Sequence, residues 1–378
     1  MPMALYCPHF VRANDSGMKP AMIEMDYPAL QAIGLTPSLI NAAFSLPEAT
    51  LPSVHMARII EIARNRFTVH NGARSFPLQA QTRLMIELDS SEHTLAVGDW
   101  VLVAPKDPDE DWIVAQVPPL NHIARRTSDG QRQALVSNID TALLVMGLDH
   151  DFNPRRLERC LSMTHAAGVE AVVVLSKMDI GIEVEARIAN LHSRLPKNIN
   201  VISINGLSEA TCTQLEPWLT PGHTLVMLGS SGAGKSTLTN TLLGNQTQQT
   251  GLVRQNDSRG RHTTTARSLY RIPGGACIID TPGLRTWNID ADMEDISGCF
   301  SDIETLAAQC HFRDCQHLNE PGCAVRDAID PDRLRNYHKL LREASRTQQS
   351  VLERKAELQR WKATMKAGHA RLKEKRGE

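Results

Sequence analysis

The stretch Gly229-Ser230-Ser231-Gly232-Ala233-Gly234-Lys235-Ser236-Thr237 limits the possible folds more than any other in the chain. An apolar run, Leu225 to Leu228, precedes it, and a helix-like segment from Thr237 to Leu243 follows. This is G-x-x-x-x-G-K-[ST] between a buried strand and a helix, the setting a phosphate-binding loop requires. The glycines let consecutive N–H groups turn inward on a phosphate, and the helix N-terminus adds unpaired donors. Lys235 supplies a point charge for the β- and γ-phosphates, and the Ser236 hydroxyl is suited to Mg²⁺. A chance lysine beside a Gly/Ser turn would lack the flanking strand and helix. The pattern therefore implies a nucleoside triphosphate site within an α/β sheet.

Around that loop the apolar runs alternate with helical stretches. Thr141–Met146, Ala171–Leu175, Val201–Ile204, Leu225–Leu228 and Cys277–Ile279 read as strands, and Pro154–Ala167 as a helix capped by Asn153. The expected result is a parallel, doubly wound sheet. Two strand ends carry further chemistry. Asp280-Thr281-Pro282-Gly283 has the D-x-x-G form, with Asp280 on the Mg²⁺ side and Gly283 at the γ-phosphate. Ser176-Lys177-Met178-Asp179 resembles the guanine-reading N-K-x-D, with Ser in place of Asn. There the Asp179 carboxylate would pair with guanine N1–H and the exocyclic amine, and Lys177 would lay its stem over the base.

The polar loop from Gly244 to Thr265 ends in Arg259-Gly260-Arg261-His262-Thr263-Thr264-Thr265. Structureless loops of that length are usually functional or disordered. In a GTPase this loop would be the first switch, with Thr264 (Thr263 as the alternate) closing on Mg²⁺ and the γ-phosphate. Many GTPases place a water-orienting Gln directly after D-x-x-G, but here Leu284 stands there. His262 is then the candidate to position the water, with a surface histidine of no role as the plain alternative.

Upstream, the segment from Val54 to Val117 has a different texture. Five short strands are expected, at His55–Ile60, Arg66–Val69, Arg83–Leu88, Trp100–Val103 and Trp112–Val117. They suit a small barrel such as an OB-fold, used either for RNA or only for packing. Arg125–Gln133 reads as a basic, solvated linker. Residues 1–52 show no clear periodicity beyond a possible short helix at Ala29–Ile33, and read as a partly ordered extension.

Downstream, Cys310, Cys315, His317 and Cys323 offer three thiolates and an imidazole within fourteen residues. That is a complete tetrahedral set for one structural Zn²⁺. The other cysteines (Cys7, Cys160, Cys212, Cys277 and Cys299) are scattered, which favours a reducing compartment. From Pro331 onward the chain reads as helix. Val351, Leu358, Met365 and Leu372 form one apolar stripe, and residues 339–378 hold twelve Lys/Arg against five Asp/Glu, a net charge of +7. Such a helix can grip a phosphate backbone or simply pack, solvated, on its own body.

The whole chain, by contrast, has a net charge of −1, and its 378 residues are too many for one ordinary core. No apolar run approaches the ~18 residues of a membrane span. Met1 to Asn14 lacks the pattern of a signal peptide. The expectation is a cytoplasmic protein without a membrane partner.

The order of the motifs is unusual, since Ser176–Asp179 precedes the phosphate loop. With the His-Thr-Thr loop and the Cys-Cys-His-Cys spacing, this order resembles the RsgA (YjeQ-type) family, circularly permuted GTPases of small-ribosomal-subunit biogenesis. The likeness spans about residues 54 to 378. It implies a multidomain α/β protein: an extension (1–52), an OB-fold RNA-binding barrel (53–121), a permuted P-loop GTPase domain (122–290) and a zinc-binding helical domain with a basic terminal helix (291–378). It implies that Gly229–Thr237 and Ser176–Asp179 bind GTP or GDP, and that Cys310, Cys315, His317 and Cys323 hold zinc. It further implies GTP hydrolysis stimulated by the 30S subunit, contact with 16S rRNA, and action as a monomer late in maturation. Two other classes stay open. One is an rRNA-anchoring module whose nucleotide is mainly structural, favoured by Leu284 and Ser176, and the other is an ATP-dependent enzyme.

Overall fold

The computed structural model describes residues 22–63, 66–91, 93–107, 110–126, 132–208, 210–244, 267–281 and 293–348. Within them the upstream strands close on themselves. β1 (His55–Ala63) pairs with β2 (Arg66–His70), β2 with β3 (Ser75–Ala80), β3 with β5 (Glu110–Gln116), β5 with β4 (Trp100–Asp107), and β4 returns to β1. This is a closed five-stranded barrel with a helix, α3 (Thr82–Ser90), inserted between β3 and β4, the OB-type arrangement. Ile59, Phe67, Val69, Leu84, Val101 and Ile113 are among the side chains that fill it.

Two elements here differ from the sequence expectation. Arg83–Leu88, expected as a strand, lies in α3: Leu84 and Leu88, four apart, are buried while Met85 and Ile86 are exposed, which is helical periodicity. The strand in its place is β3, where Pro77 sits opposite Thr68. A proline inside a run argues against a strand, and so masks this one.

Residues 22–50 are also more ordered than expected. α1 (Tyr27–Gln31) and α2 (Pro37–Phe44) each begin with a side-chain cap, Asp26 and Thr36, and a proline in the first turn. Ile23, Leu30, Leu39 and Ala43 are buried in the main core. At the two ends of the expected linker, Arg125 and Arg126 lie in β6 (His122–Arg126) and Arg132 and Gln133 in β7 (Arg132–Ser137), which pair antiparallel; residues 127–131 lie outside the described residues.

The parallel sheet follows from strands that are apolar on both faces. β8 (Thr141–Gly147) is buried throughout. It lies between β9 (Glu170–Ser176), with β10 (Asn200–Ser203) beyond, and β11 (Thr224–Leu228). β13 (Cys277–Asp280) and then antiparallel β12 (Ser268–Arg271) complete the order β10-β9-β8-β11-β13-β12. Leu144, Val173 and Val226 face one cluster, while Leu143, Val172 and Leu225 face the other. Helices α4 (Pro154–Ala166), α5 (Val184–Arg194), α6 (Ala210–Leu215) and α7 (Lys235–Leu243) complete the α/β unit. The expected strands and the Asn153 cap are all found, Asn153 accepting from Arg156 N at 3.1 Å.

One register pair, Glu61 opposite Ser268, joins β1 to β12, so barrel and parallel sheet form one continuous sheet. Beside this seam Arg58 is fully buried. Its guanidinium donates to the carbonyls of Gly98 (3.2 Å), Asn138 (2.9 Å) and Ile33 and to Thr224 Oγ1 (3.0 Å). A buried cation is tolerated only when so satisfied.

The C-terminal helices α8 (Met293–Cys299), α9 (Ser301–Ala307), α10 (Ala324–Ala328) and α11 (Pro331–Gln348) begin a separate layer, and α8 and α11 pack on α4. Buried Glu158 on α4 is its pivot, accepting from Arg194 (2.9 and 3.2 Å), Arg333 (2.6 Å) and Asn336 (2.6 Å). Arg333 also forks onto Asp302, and Arg159 onto Glu343. Among the described residues, no helix is long and apolar enough to cross a membrane.

Candidate functional site

In an open parallel sheet, ligands bind beyond the carboxyl ends of the strands. Here β8, β9, β11 and β13 run parallel and end side by side, and all three strand-end motifs gather there. Gly229 follows β11 against the neighbouring strand, where an added Cβ would lie 2.2 Å from Val145 O. Gly234, at φ +96°, caps α7 in a conformation open mainly to glycine. Lys235 is buried, and its ammonium folds back to donate to the carbonyls of Gly229 (2.9 Å) and Ser230 (2.7 Å). Burial lowers its pKa, and the carboxylates of Asp280 and Asp151 oppose that shift. Ser236 and Thr237 lie exposed in the first turn of α7.

The base-reading candidate meets this loop directly. Ser176 is buried at the end of β9, and its hydroxyl donates to Ala233 O at 2.5 Å. This one short hydroxyl bond pins two loops distant in sequence. Lys177 follows in left-handed backbone, φ +60°, and its ammonium bonds Asp149 Oδ2 at 2.7 Å. That bond holds the Asp149 carboxyl below its usual range. Met178 and Asp179 are exposed, and Met178 N donates to Ile204 O at 3.2 Å. Sequence reasoning missed Asp149, although its position just beyond a parallel strand was a usable signal.

Asp280 sits opposite Met227 at the end of β13 and is buried, which raises its pKa against the opposing pull of Lys235. Thr281 donates to Met227 O at 2.6 Å and fixes the strand's exit. Ser176–Asp179, Gly229–Thr237 and Asp280 therefore share one end of the sheet. Gly283, Leu284, His262, Thr263 and Thr264 lie outside the described residues, as do the loop 245–266 and the terminal stripe 349–378.

A second constellation stands apart from this cleft. The ligand atoms of Cys310, Cys315, His317 and Cys323 all lie within 4.8 Å of one another. His317 Nδ1 is 3.6 Å from Cys310 Sγ and 3.5 Å from Cys323 Sγ, and the two sulfurs are 4.0 Å apart. Four ligands around one ion with metal–sulfur bonds near 2.3 Å would place sulfurs about 3.8 Å apart. The cluster fits a tetrahedral metal ion. Cys323 also caps α10, its sulfur accepting Arg326 N at 3.4 Å. The Glu320 carboxylate gathers the amides of Gln316, Leu318 and Asn319, and so folds the knuckle between the ligands.

Comparison with known proteins agrees with this geometry. The RsgA GTPase family model matches residues 117–290. A protein of Xanthomonas oryzae pv. oryzae, named small ribosomal subunit biogenesis GTPase RsgA, is 42% identical over 361 residues, covering 91% of this chain and 96% of that protein. A protein of the same name from Xanthomonas axonopodis pv. citri is 43% identical over 357 residues, covering 90% and 95%. Among solved structures, YjeQ from Thermotoga maritima aligns with TM-score 0.55 at 22% identity, covering 77% of this chain and 98% of that one. YloQ, described as a circularly permuted GTPase, aligns with TM-score 0.53 at 20% identity, covering 79% and 98%. Sheet order, motif order and kinship lead to one conclusion: the chain belongs to the RsgA family of circularly permuted GTPases and is a GTP-hydrolysing enzyme.

Proposed function

We propose that the chain binds the small ribosomal subunit in its GTP form, hydrolyses GTP during late maturation and leaves as GDP and phosphate form. One contact carries the reading: the bond from Ser176 to Ala233 makes the phosphate loop and the base-reading loop two walls of one cleft. In this reading Gly229–Thr237 cradles the phosphates and Lys235 neutralises developing charge. Asp179 reads the guanine edge and Lys177 covers the base. Ser236 and Thr264 would hold Mg²⁺, with Asp280 on the Mg²⁺ side, and the ion would neutralise charge on the phosphates. The roles this reading gives to Gly283 and His262 are sensing of the γ-phosphate and orientation of the attacking water. Cys310, Cys315, His317 and Cys323 hold one Zn²⁺, a structural ion because four protein ligands leave no open position.

The barrel and the basic terminal helix supply contacts to 16S rRNA, and the protein acts as a cytoplasmic monomer. The intended units are an extension (1–52), barrel (53–121), GTPase (122–290) and zinc-binding (291–378) domain. The names of the Xanthomonas relatives support the ribosomal assignment. The anchoring alternative keeps one observation in its favour, Leu284 in the position of a water-orienting side chain.

GTP turnover measured with and without purified 30S subunits, at two salt concentrations, separates the readings. The proposal expects stimulation that weakens with salt, and an unchanged rate overturns it. Lys235→Ala should weaken GTP binding by about a hundredfold, since it removes the charge-assisted bonds to phosphate. His262→Ala should keep nucleotide affinity and lose most turnover. Unchanged single-turnover hydrolysis in that variant removes His262 from the mechanism.

A further inference from the structure

The short loop between β8 and α4, from Leu148 to Phe152, contains no nucleotide-binding motif, yet it touches both halves of the cleft. Asp149 holds Lys177, as described above. Asp151, two residues on, accepts the Ser230 hydroxyl of the phosphate loop on Oδ2 and Arg156 Nη1 on Oδ1 at 2.6 Å. The two acidic residues are tied together, because Asp151 N donates to Asp149 Oδ1 at 3.1 Å. Arg187 fastens the loop from outside, donating to the carbonyls of Leu148 and Asp149 and lying 5.0 Å over the Phe152 ring.

A carboxylate bonded to the second residue of a phosphate loop raises an electrostatic problem. It orients the loop, but its charge repels the polyphosphate the loop must receive. Its side chain is only 14% exposed, so solvent screens it poorly. Arg156 answers the problem from the first turn of α4, where the Asn153 cap fixes its backbone. The pair presents a net charge of zero to the cleft while one carboxylate oxygen remains on Ser230.

We propose that Asp151 and Arg156 form a charge-compensated brace: Asp151 is a positioning residue for the phosphate loop through Ser230, and Arg156 cancels its carboxylate so that the loop accepts a triphosphate. The inference rests on the reading of Gly229–Thr237 as the GTP site. The brace makes Arg156 a determinant of the preference between triphosphate and diphosphate through its pairing with Asp151. Loss of Arg156 exposes a negative charge to the ligand, and the ligand with more charge suffers more.

The test titrates the full chain with fluorescent GDP and a fluorescent non-hydrolysable GTP analogue. In Arg156→Gln, triphosphate affinity should fall by about tenfold and diphosphate affinity by less, the gap narrowing at high salt. Combining Arg156→Gln with Asp151→Asn should restore the wild-type ratio. Ser230→Ala keeps both charges and should weaken both nucleotides alike. An unchanged ratio in Arg156→Gln, or a double variant no better than the single one, overturns the brace. Unchanged affinity in Ser230→Ala overturns its positioning half.

If Arg156→Gln does not fold, Arg156→Lys and Asp151→Asn take its place. The first should keep the wild-type ratio, and the second should favour the triphosphate at least as strongly as wild type. A shift toward the diphosphate in either overturns the proposal. A wild-type chain that binds neither nucleotide removes the GTP site itself, and the brace with it. A wild-type chain that binds both, with the ratio unmoved by Arg156→Gln, removes the brace alone.

Discussion

The candidate nucleotide cleft and the C-terminal helices share one apolar core but are fixed in place by different polar devices. Behind the cleft stand strands buried on both faces, and single hydroxyls such as Ser176 and Thr281 then aim the loops. The C-terminal layer has apolar anchors too, Phe300, Ile303 and Leu340 among them. These anchors are continuous with the core behind the cleft. The attachment to α4, however, adds the buried network of Glu158, Arg194, Arg333 and Asn336, and the knuckle adds four side chains that could hold a metal ion. Apolar packing is non-directional and largely indifferent to pH and ions. A buried ionic network fixes one orientation and fails sharply when a partner is lost. The first region suits a scaffold that persists through every nucleotide state, and the second a module whose orientation on α4 depends on paired charge.

The largest effect that could break this contrast is metal removal. Structural zinc in small domains contributes about 10–16 kcal/mol to folding, so a chelator, or Cys315→Ser, should expose the 310–323 segment to proteases. Guanine-nucleotide affinity should stay unchanged, and a parallel loss of affinity would mean the two regions are not independent. Next, Glu158→Ala leaves buried Arg333 only its fork on Asp302 and Arg194 only its bond to Asp332, and should cost about 3 kcal/mol in denaturant unfolding.

A buried carboxylate outside both regions sharpens the point. Asp99, at the barrel's seam, accepts from Ala96 N and Gln116 Nε2, and burial pushes its pKa up to about 6. Its folded-state value lies above the unfolded one, so the ionised form is penalised above pH 6 and relieved as pH falls toward 4. Relative to Asp99→Asn, the wild-type chain should gain stability between pH 7 and pH 4, by roughly 2–3 kcal/mol in all. The smallest effect belongs to the cleft. Ser176→Ala removes one hydrogen bond and should lower stability by about 1 kcal/mol, with a severalfold loss of nucleotide affinity.

What was legible in the sequence is what lies close together along it. The phosphate loop, the strand ends and the Cys/His set carry their geometry in their own spacing. The bond from Ser176 to Ala233, the pair of Lys177 with Asp149 and the Glu158 network all join residues far apart in the chain, and no local pattern encodes them. α3 misled because apolar residues at 84, 86 and 88 mimic strand alternation, while only Leu84 and Leu88 face inward. Residues 22–50 gave no periodicity because their buried side chains come from short turns rather than from one long face.

The seam at Arg58 bears on how the chain matures during synthesis. Its acceptors arrive in instalments: Ile33 and Gly98 early, Asn138 later, and Thr224 only when the phosphate-loop strand emerges. Ser268, the strand partner of Glu61, comes later still. A nascent barrel therefore carries an unfinished guanidinium cage and an open edge until most of the protein has left the exit tunnel.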